Sequence, residues 1–324
     1  MDTAIRDIVQ RSQRVLAICH VNPDGDALGS LLGFGWALKA MGKNVALACP
    51  DPVPTFYQYL PGHEEITQRP EGEFDLVVSL DCSDVQRMGD SYREEYRGVP
   101  LLNIDHHVTN LHFGTFNLVD PVAASTAEIV FLLLDELSLP LDSRIAQCLL
   151  TGIVTDTRGF RTASCTPRVL AIANRLMAAG ASLPEIVSRT LDRRPLAAIR
   201  LWAQALPGAQ LRGRVLWAEV TEAMRAASGL TTVDDSGLVN FLLTAEEADV
   251  AVVFSEKNGG QEVEVGFRAR PGWDVSQVAL SLGGGGHMLA SGATVRGTLP
   301  EVRERVLALL EESLAAQERA HRLT

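Results

Sequence analysis

The sequence predicts an α/β protein, with an N-terminal domain built on a parallel sheet and a smaller C-terminal α/β domain. Three observations carry that expectation. From Arg14 to about Asp156, runs rich in Val, Ile and Leu alternate with helical stretches, and continuous apolar runs suit strands buried on both faces. Residues 166–206 are almost wholly helical in pattern. After them strand-like runs return and the chain closes on a long helical segment. With 324 residues, 46% of them hydrophobic, the chain can bury a core in each domain. The expected boundaries are 1–185 for the first domain, 186–207 for a helical linker and 208–324 for the second domain.

The elements follow in order. RVLAICH reads as a strand, ALGSLLGFGWALKAMG as a helix, and NVALACP, FDLVVSLDCSD and VPLLNIDHH as further strands joined by crossover helices. STAEIVFLLLDELS and SRIAQCLLTGIV are helical, the second leading into TDTRGFR. TPRVLAIANRLMAAG, SLPEIVSRTLDR and PLAAIRLWAQAL continue the helical pattern, with Gly180 and Pro184 as punctuation. RVLWAEVT, ADVAVVFSEK and QEVEVGFRAR read as strands, GGQ as a hairpin turn, and PEVRERVLALLEESLAAQERA as a closing helix.

Composition narrows the function classes. No apolar run approaches the roughly 20 residues of a membrane span, and MDTAIRDIVQRSQR lacks the apolar core of a signal peptide. A cytoplasmic protein with no membrane partner is expected. The five cysteines are scattered without a CxxC pair, which argues against a disulfide framework and a thiolate zinc site. Forty acidic against 29 basic residues give a net charge of −11, which disfavours binding to long duplex DNA. Small anions remain compatible with that charge, because a bound metal ion reverses the potential inside a cleft.

Polar clusters fall where the apolar runs stop: His20, Asp24 and Asp26 in HVNPDGDALGS, Asp81 in SLDCSD, Asp105, His106 and His107 in NIDHHVTN, and Asp156 in GIVTDTRGF. The C-terminal edge of a parallel sheet is where ligands bind. Two carboxylates two positions apart repel each other unless a cation lies between them. Together the clusters offer oxygen and imidazole donors for two divalent ions, a set that suits Mn²⁺ or a similar first-row ion. Gly25 would let the backbone fold closely around such an ion. Each residue also has a plain alternative: Asp24 and Asp26 as caps of the helix beginning near Ala27, Asp81 and Asp156 as strand-end or loop residues, and the histidines as hydrogen-bonded core groups.

The series HVNPDGDALGS, SLDCSD, IDHHVTN and TDT resembles the DHH phosphoesterases, and SLGGGGHMLASG resembles their accessory DHHA1 domain. The two-domain layout is similar to the bacterial nanoRNases, which degrade very short oligoribonucleotides and remove the 3′-phosphate of 3′-phosphoadenosine 5′-phosphate (pAp). The resemblance implies a site in the cleft between the domains. It implies that His20, Asp24 and Asp81 hold one Mn²⁺ and that Asp26, Asp81, His106 and Asp156 hold the other, Asp81 bridging, with Co²⁺ or Mg²⁺ as substitutes. Such an ion pair activates water for in-line attack on phosphorus. His107 would contact the phosphate or protonate the leaving oxygen, with Asp105 orienting the imidazoles.

For the C-terminal domain, Gly284, Gly285, Gly286 and His287 in GGGGH offer backbone N–H groups and a ring to a nucleotide. The resemblance points to Arg268 in VEVGFRAR as a fork donor to phosphate, with Arg161 and Asn240 as further candidates. Where relatives show DTGSFR-like and LRSR-like segments, this chain has DTRGFR and FRAR, so Arg158 and Ala269 depart from the pattern. Expected substrates are oligoribonucleotides of about two to five residues and pAp, with linear pApA as an alternative and a homodimer as the candidate assembly. The rivals are a family II pyrophosphatase, a RecJ-like exonuclease and a non-catalytic nucleotide sensor. The GGGGH segment speaks against the first, the short acidic chain against the second, and the complete ligand set against the third.

Overall fold

The first described element is one that the hydrophobic pattern did not announce: α1 (Thr3–Arg11), which buries Ile5, Ile8 and Val9 at helical spacing. After it come β1 (Arg14–Cys19), α2 (Gly25–Ala40), β2 (Asn44–Ala48), β3 (Ile66–Thr67), β4 (Leu76–Leu80), β5 (Leu101–Asp105) and β6 (Phe116–Val119). The strands form one sheet in the order β3-β2-β1-β4-β5-β6, and every pairing is parallel. The computed structural model describes residues 3–230 and 237–321. The chain divides into two units, Met1–Arg193 and Arg194–Thr324.

The strand order positions the site. The chain runs outward from β1 through β2 to β3, then returns to the other side of β1 for β4, β5 and β6. Connections leave β1 and β4 in opposite directions, and a crevice opens between their C-terminal ends. His20 follows β1 and Asp81 follows β4.

On one face of the sheet, Val15, Ala17 and Cys19 join the core formed with α2, α3 (Thr126–Glu136) and α4 (Ser143–Asp156). On the other, Leu16 and Ile18 meet Val77, Met88 and Tyr96. That second face lacks the expected crossover helices. Its connections are 3₁₀ turns at Thr55–Tyr57, His63–Glu65, Val85–Ser91 and Glu94–Tyr96. Pro52, Pro54, Pro61, Gly89 and Gly98 interrupt these segments, so no helix of useful length can nucleate there.

α2 is buried on nearly every side, and its glycines set its distance from α4. A Cβ on Gly29 would stand 2.4 Å from the Cys148 carbonyl oxygen, and one on Gly33 would stand 2.6 Å from Leu149. The two helices therefore pack almost backbone to backbone, which brings Asp156, the last residue of α4, beside the first turn of α2. α5 (Pro167–Ala178) and α6 (Leu183–Val187), which continues as a π-helical turn to Asp192, complete this unit.

The second unit comprises α7 (Leu196–Ala205), β7 (Gln210–Arg212), β8 (Val215–Val220), α8 (Glu222–Ser228), α9 (Leu238–Leu242), β9 (Val250–Lys257), β10 (Glu262–Ala269), α10 (Ser276–Ser281), β11 (Gly285–His287), β12 (Ala290–Arg296) and α11 (Leu299–His321). Its sheet order is β11-β12-β10-β9-β8-β7, antiparallel except between β8 and β9. One face packs on α10 and α11 through Val252, Phe254, Val265 and Phe267. The other is covered by α7 and α9 over β8 and β9, through Leu201, Leu238, Ala251 and Val253. Among the described residues no helix is long and apolar enough to cross a membrane.

Candidate metal centre

α2 begins at Gly25 rather than near Ala27, so Asp24 is its cap and Asp26 lies in its first turn. Asp24 Oδ1 accepts from the backbone N–H of Asp26 and Ala27, each at 3.0 Å. The same oxygen lies 3.8 Å from His20 Nε2, so capping and facing the site are compatible. Gly25 serves a different purpose from the one expected. It avoids the left-handed region, and a Cβ there would come 2.4 Å from Thr155 Oγ1. Glycine is therefore required by the approach of α4.

Asp26 is held by an element 100 residues away. Its Oδ2 accepts from Thr126 N at 2.6 Å and its Oδ1 from Ala127 N at 2.9 Å, at the N-terminus of α3, where the helix dipole favours a carboxylate. Asp81 occupies the left-handed region, with φ of 63°, a conformation that costs a non-glycine residue roughly 1–3 kcal/mol. It is 1% exposed. Its Oδ2 lies 3.5 Å from His20 Nε2, while its Oδ1 faces His106 Nε2 at 3.8 Å and His107 Nδ1 at 3.6 Å. One carboxylate thus presents one oxygen to each side of the crevice.

Backbone carbonyls set the histidines. His20 Nδ1 donates to Val21 O at 2.7 Å; a carbonyl only accepts, so the proton sits on Nδ1 and Nε2 faces Asp24 and Asp81. His106 places Nε2 3.5 Å from Asp156 Oδ2 and 3.9 Å from Asp26 Oδ2. The donors gather as His20/Asp24/Asp81, Asp26/His106/Asp156 and Asp81/His106/His107, the ligand atoms of each group lying within 4.8 Å of one another.

Asp105 and His107 form a second layer. Asp105 is fully buried, and its Oδ1 accepts from His106 N at 2.8 Å and His107 Nδ1 at 2.7 Å. Asn110, which the sequence reading passed over, completes this layer. It donates Nδ2 to Asp105 Oδ2 at 2.6 Å and to Cys82 O at 3.0 Å, and accepts at Oδ1 from Asn103 Nδ2 and His112 N. All four bonds fix the amide's orientation. Its only sequence signal was an asparagine just beyond the DHH triplet.

These carboxylates need a cation. Among the described residues no lysine or arginine pairs with Asp24, Asp26, Asp81 or Asp156. Burial, reinforced by the charges of Asp81, Asp156 and Asp24, pushes the Asp26 carboxyl well above its ordinary range. Burial likewise pushes Asp156 up to about 7, with Asp81 and Asp24 adding to it against the pull of His106. Asp81 goes the other way: burial opposes its ionisation, but the neighbouring His20, His106 and His107 bring it down. Burial depresses His107, yet the Asp105 hydrogen bond and the Asp81 and Asp105 charges outweigh that and carry it up to about 9. Buried carboxylates that face one another, with imidazoles among them, are chemically suited to divalent metal ions.

A pH dependence follows. Asp156 and His107 have folded-state pKa values above their unfolded ones. The stability they confer is full below the unfolded values and is lost as pH rises through about 7 and about 9. Without metal the protein should therefore melt lower at pH 8 than near pH 5, and the rise in Tm on adding Mn²⁺ should widen over that range. Scanning calorimetry with chelator and with Mn²⁺ measures both. A metal-induced rise that shrinks with pH would contradict the assignment.

Arg161 is exposed and tied to its own turn, its Nε donating to Arg158 O at 2.6 Å. It is not among the groups that gather at the carboxylates. Arg158, Gly159 and Phe160 are consecutively left-handed, and Arg158 is exposed.

In the second unit, Arg268, Gly284 and Gly285 line one cavity of about 660 Å³ on the sheet face beside α9. Arg268 Nε donates to Asn240 Oδ1 at 3.1 Å, which joins two of the expected residues. The glycine run is no free loop: Gly285–His287 form edge strand β11, paired with β12. A Cβ on Gly284 would stand 2.1 Å from the Gly292 carbonyl oxygen, and Gly286 adopts φ of 134°, so glycine is required at these positions for strand approach and turn.

Comparison with known proteins places the chain in a family. The model of the DHH family, N-terminal domain, matches residues 14–153, and that of the DHHA1 domain matches residues 216–316. A Thermus thermophilus protein named bifunctional oligoribonuclease and PAP phosphatase NrnA is 39% identical over 306 residues, covering 91% of this chain and 88% of its own. An exopolyphosphatase-related protein from Bacteroides fragilis shares the fold, with a TM-score of 0.89, 24% identity, and coverage of 98% of this chain and 97% of the other. RecJ of Thermus thermophilus, solved with Mn²⁺, has a TM-score of 0.55 and 15% identity, with 96% of this chain aligned to 54% of that one. This chain belongs to the DHH/DHHA1 phosphoesterase family.

Proposed function

We propose that this protein hydrolyses oligoribonucleotides of about two to five residues to mononucleotides and removes the 3′-phosphate of pAp, using two divalent ions of the Mn²⁺ type. The observation that carries the reading is Asp81, one oxygen turned to His20 and the other to His106 and His107, between two three-residue donor groups. The relative named as an oligoribonuclease and PAP phosphatase supports the substrate class. His20, Asp24 and Asp81 would hold one ion; Asp26, Asp81, His106 and Asp156 would hold the other. When bound, such ions supply charge neutralisation at the phosphoryl group and activation of water.

The chain's own residues do the rest. His107 is held through Nδ1 by Asp105, a hydrogen bond that favours its protonated form. In this reading it donates to the leaving oxygen. Asp105 and Asn110 hold the ring in that orientation. Arg268, in the second unit, grips a phosphate, and Gly284 and Gly285, which line the same cavity, receive the remainder of the nucleotide.

Asn110→Ala tests the second layer. The expected result is a fall in kcat of roughly 10–100-fold, as for loss of an outer partner of a site residue, with metal content and KM little changed. Asn110→Asp should not rescue, because it exchanges the donated N–H toward Asp105 for a repelling carboxylate. Loss of metal in Asn110→Ala would assign it instead to the structure of the centre.

The function as a whole is tested by one product-resolved assay with Mn²⁺ on pAp, on pApA and on 5′- and 3′-labelled RNA ladders. Efficiency should be highest on pAp and on the shortest oligomers and decline with length, because an acidic chain has little to hold the rest of a long strand. Processive degradation of long strands as efficient as that of dimers would favour a RecJ-like activity. Cleavage confined to pyrophosphate would refute both nucleic-acid readings.

A further inference from the structure

The part of the second unit's sheet formed by β10, β12 and β11 is organised in three rows by strand register. Arg268 on β10 is opposite Ala290 on β12, which is opposite His287 on β11. Two residues along, Gly266 is opposite Gly292, which is opposite Gly285. Two residues further, Glu264 lies between Ser255 on β9 and Thr294 on β12. Residues two apart on a strand share a face. On β10, β12 and β11 the face therefore reads cationic and imidazole, then side-chain-free, then carboxylate and hydroxyl, while β9 borders the same rows with Ala251, Val253 and Ser255.

In the middle row Gly292 has a close neighbour, its Cβ position lying 3.3 Å from the Val265 carbonyl oxygen, whereas the other two glycines do not. A Cβ at Gly266 or at Gly285 would meet nothing within 4 Å, so neither glycine is forced by a close neighbour. The cavity lies above these rows, bordered on the α9 side by Val239. Ser255 is only 4% exposed, lines that cavity, and its hydroxyl has no partner among the described residues. Glu264 lines it too, and accepts from Lys257 Nζ at 2.8 Å.

We infer that the third row is a base-reading subsite, and that it selects a nucleotide whose base carries an exocyclic amino group, adenine foremost. The inference rests on the reading of this face as the nucleotide-binding face. Rows two residues apart are separated by about 7 Å, so the first and third stand about 13 Å apart, a span that one nucleotide covers from phosphate to far base edge once the arginine reaches inward. With the phosphate on Arg268, the flat base lies over the glycine row, where any side chain would lift it. Its edge then meets Glu264 and the two hydroxyls. Adenine presents an amino donor to the carboxylate and a ring-nitrogen acceptor to a hydroxyl. Uracil presents O4 at the position of that amino group and is repelled by the carboxylate.

The test is calorimetric titration of the full chain with AMP and with UMP, with and without Mn²⁺, alongside turnover of pApA and pUpU. Wild type should favour AMP by on the order of tenfold, the usual worth of a good base-edge contact. Glu264→Gln and Glu264→Ala should bring that ratio close to one, with circular dichroism showing the fold intact. Gly266→Ala, whose Cβ meets nothing within 4 Å but occupies the floor, should weaken both nucleotides together. Equal binding of AMP and UMP by wild type, or a ratio unmoved in both Glu264 variants, overturns the subsite. If AMP is discriminated while no oligonucleotide is hydrolysed, the subsite stands and the proposed activity fails.

Discussion

Asp81→Asn and Asp81→Ala should each lose bound metal and nearly all turnover together, by on the order of 10³-fold or more in kcat, as expected for a residue acting as part of one unit. Asp81 is buried at the switch point and sends one oxygen toward each donor group. Removing its charge leaves each proposed ion one anionic ligand short and deprives His20 and His107 of the carboxylate that raises them. The isosteric asparagine separates this from misfolding, since it preserves the volume at a fully buried position. Asp84, three residues on, is the internal control. It caps a 3₁₀ turn by accepting from Gln86 N at 2.8 Å and Arg87 N at 3.2 Å. Asp84→Ala should cost about 1 kcal/mol of stability and leave metal content intact. Metal analysis with parallel kinetics decides. A wild-type enzyme retaining full activity after exhaustive chelation would refute the metal reading at once.

The part of this centre that could be read from the sequence is the part that recurs with one physical logic. An apolar strand buried on both faces must shed its polar residues at its end, so His20, Asp81 and Asp105 appear directly after RVLAIC, LVVSL and LLNI. Strand order then brings those ends together. What could not be read depends on partners far apart in the chain. Asp26 is satisfied by the amides of Thr126 and Ala127, and Asp81 accepts from Thr126 Oγ1 at 2.8 Å. STAEIV announces only a helix start. The glycines of α2 look like weak points in a helix, and their reason appears only when α4 lies against them.

The C-terminal half was less legible for a related reason. Gly284–Gly286 carry no pattern of alternation, so an edge strand could not be told from a loop, and β7, α8, α9 and α10 are too short to show a period. β10 was legible because Val263, Val265, Phe267 and Ala269 alternate with half-exposed neighbours. The same alternation puts Glu264, Gly266 and Arg268 on the other face, so the row of groups there was implicit in VEVGFRAR. Only the pairing with β12 and β11 shows which groups stand beside it.

Arg268→Ala should leave the metal centre untouched and lower kcat/KM on pAp and on dinucleotides by on the order of 10²-fold, the worth of a hydrogen-bonded charge on phosphate. Arg268 belongs to the second unit, whereas every proposed metal ligand belongs to the first. Metal content and the metal-induced rise in Tm should therefore equal those of wild type. Arg268→Lys should restore only part of the loss, because an ammonium keeps the charge but not the planar fork. Asn240→Ala should show a smaller effect in the same direction, since Asn240 steadies the guanidinium through Nε at 3.1 Å. The contrast lies in a small artificial phosphodiester such as bis(p-nitrophenyl) phosphate. That substrate has no second phosphate to grip, so its turnover depends on the metal centre and should fall far less than that of pAp. An equal fall on both substrates would mean that Arg268 acts on the chemistry or on the fold, and the phosphate-gripping face would have to be sought elsewhere on the molecule.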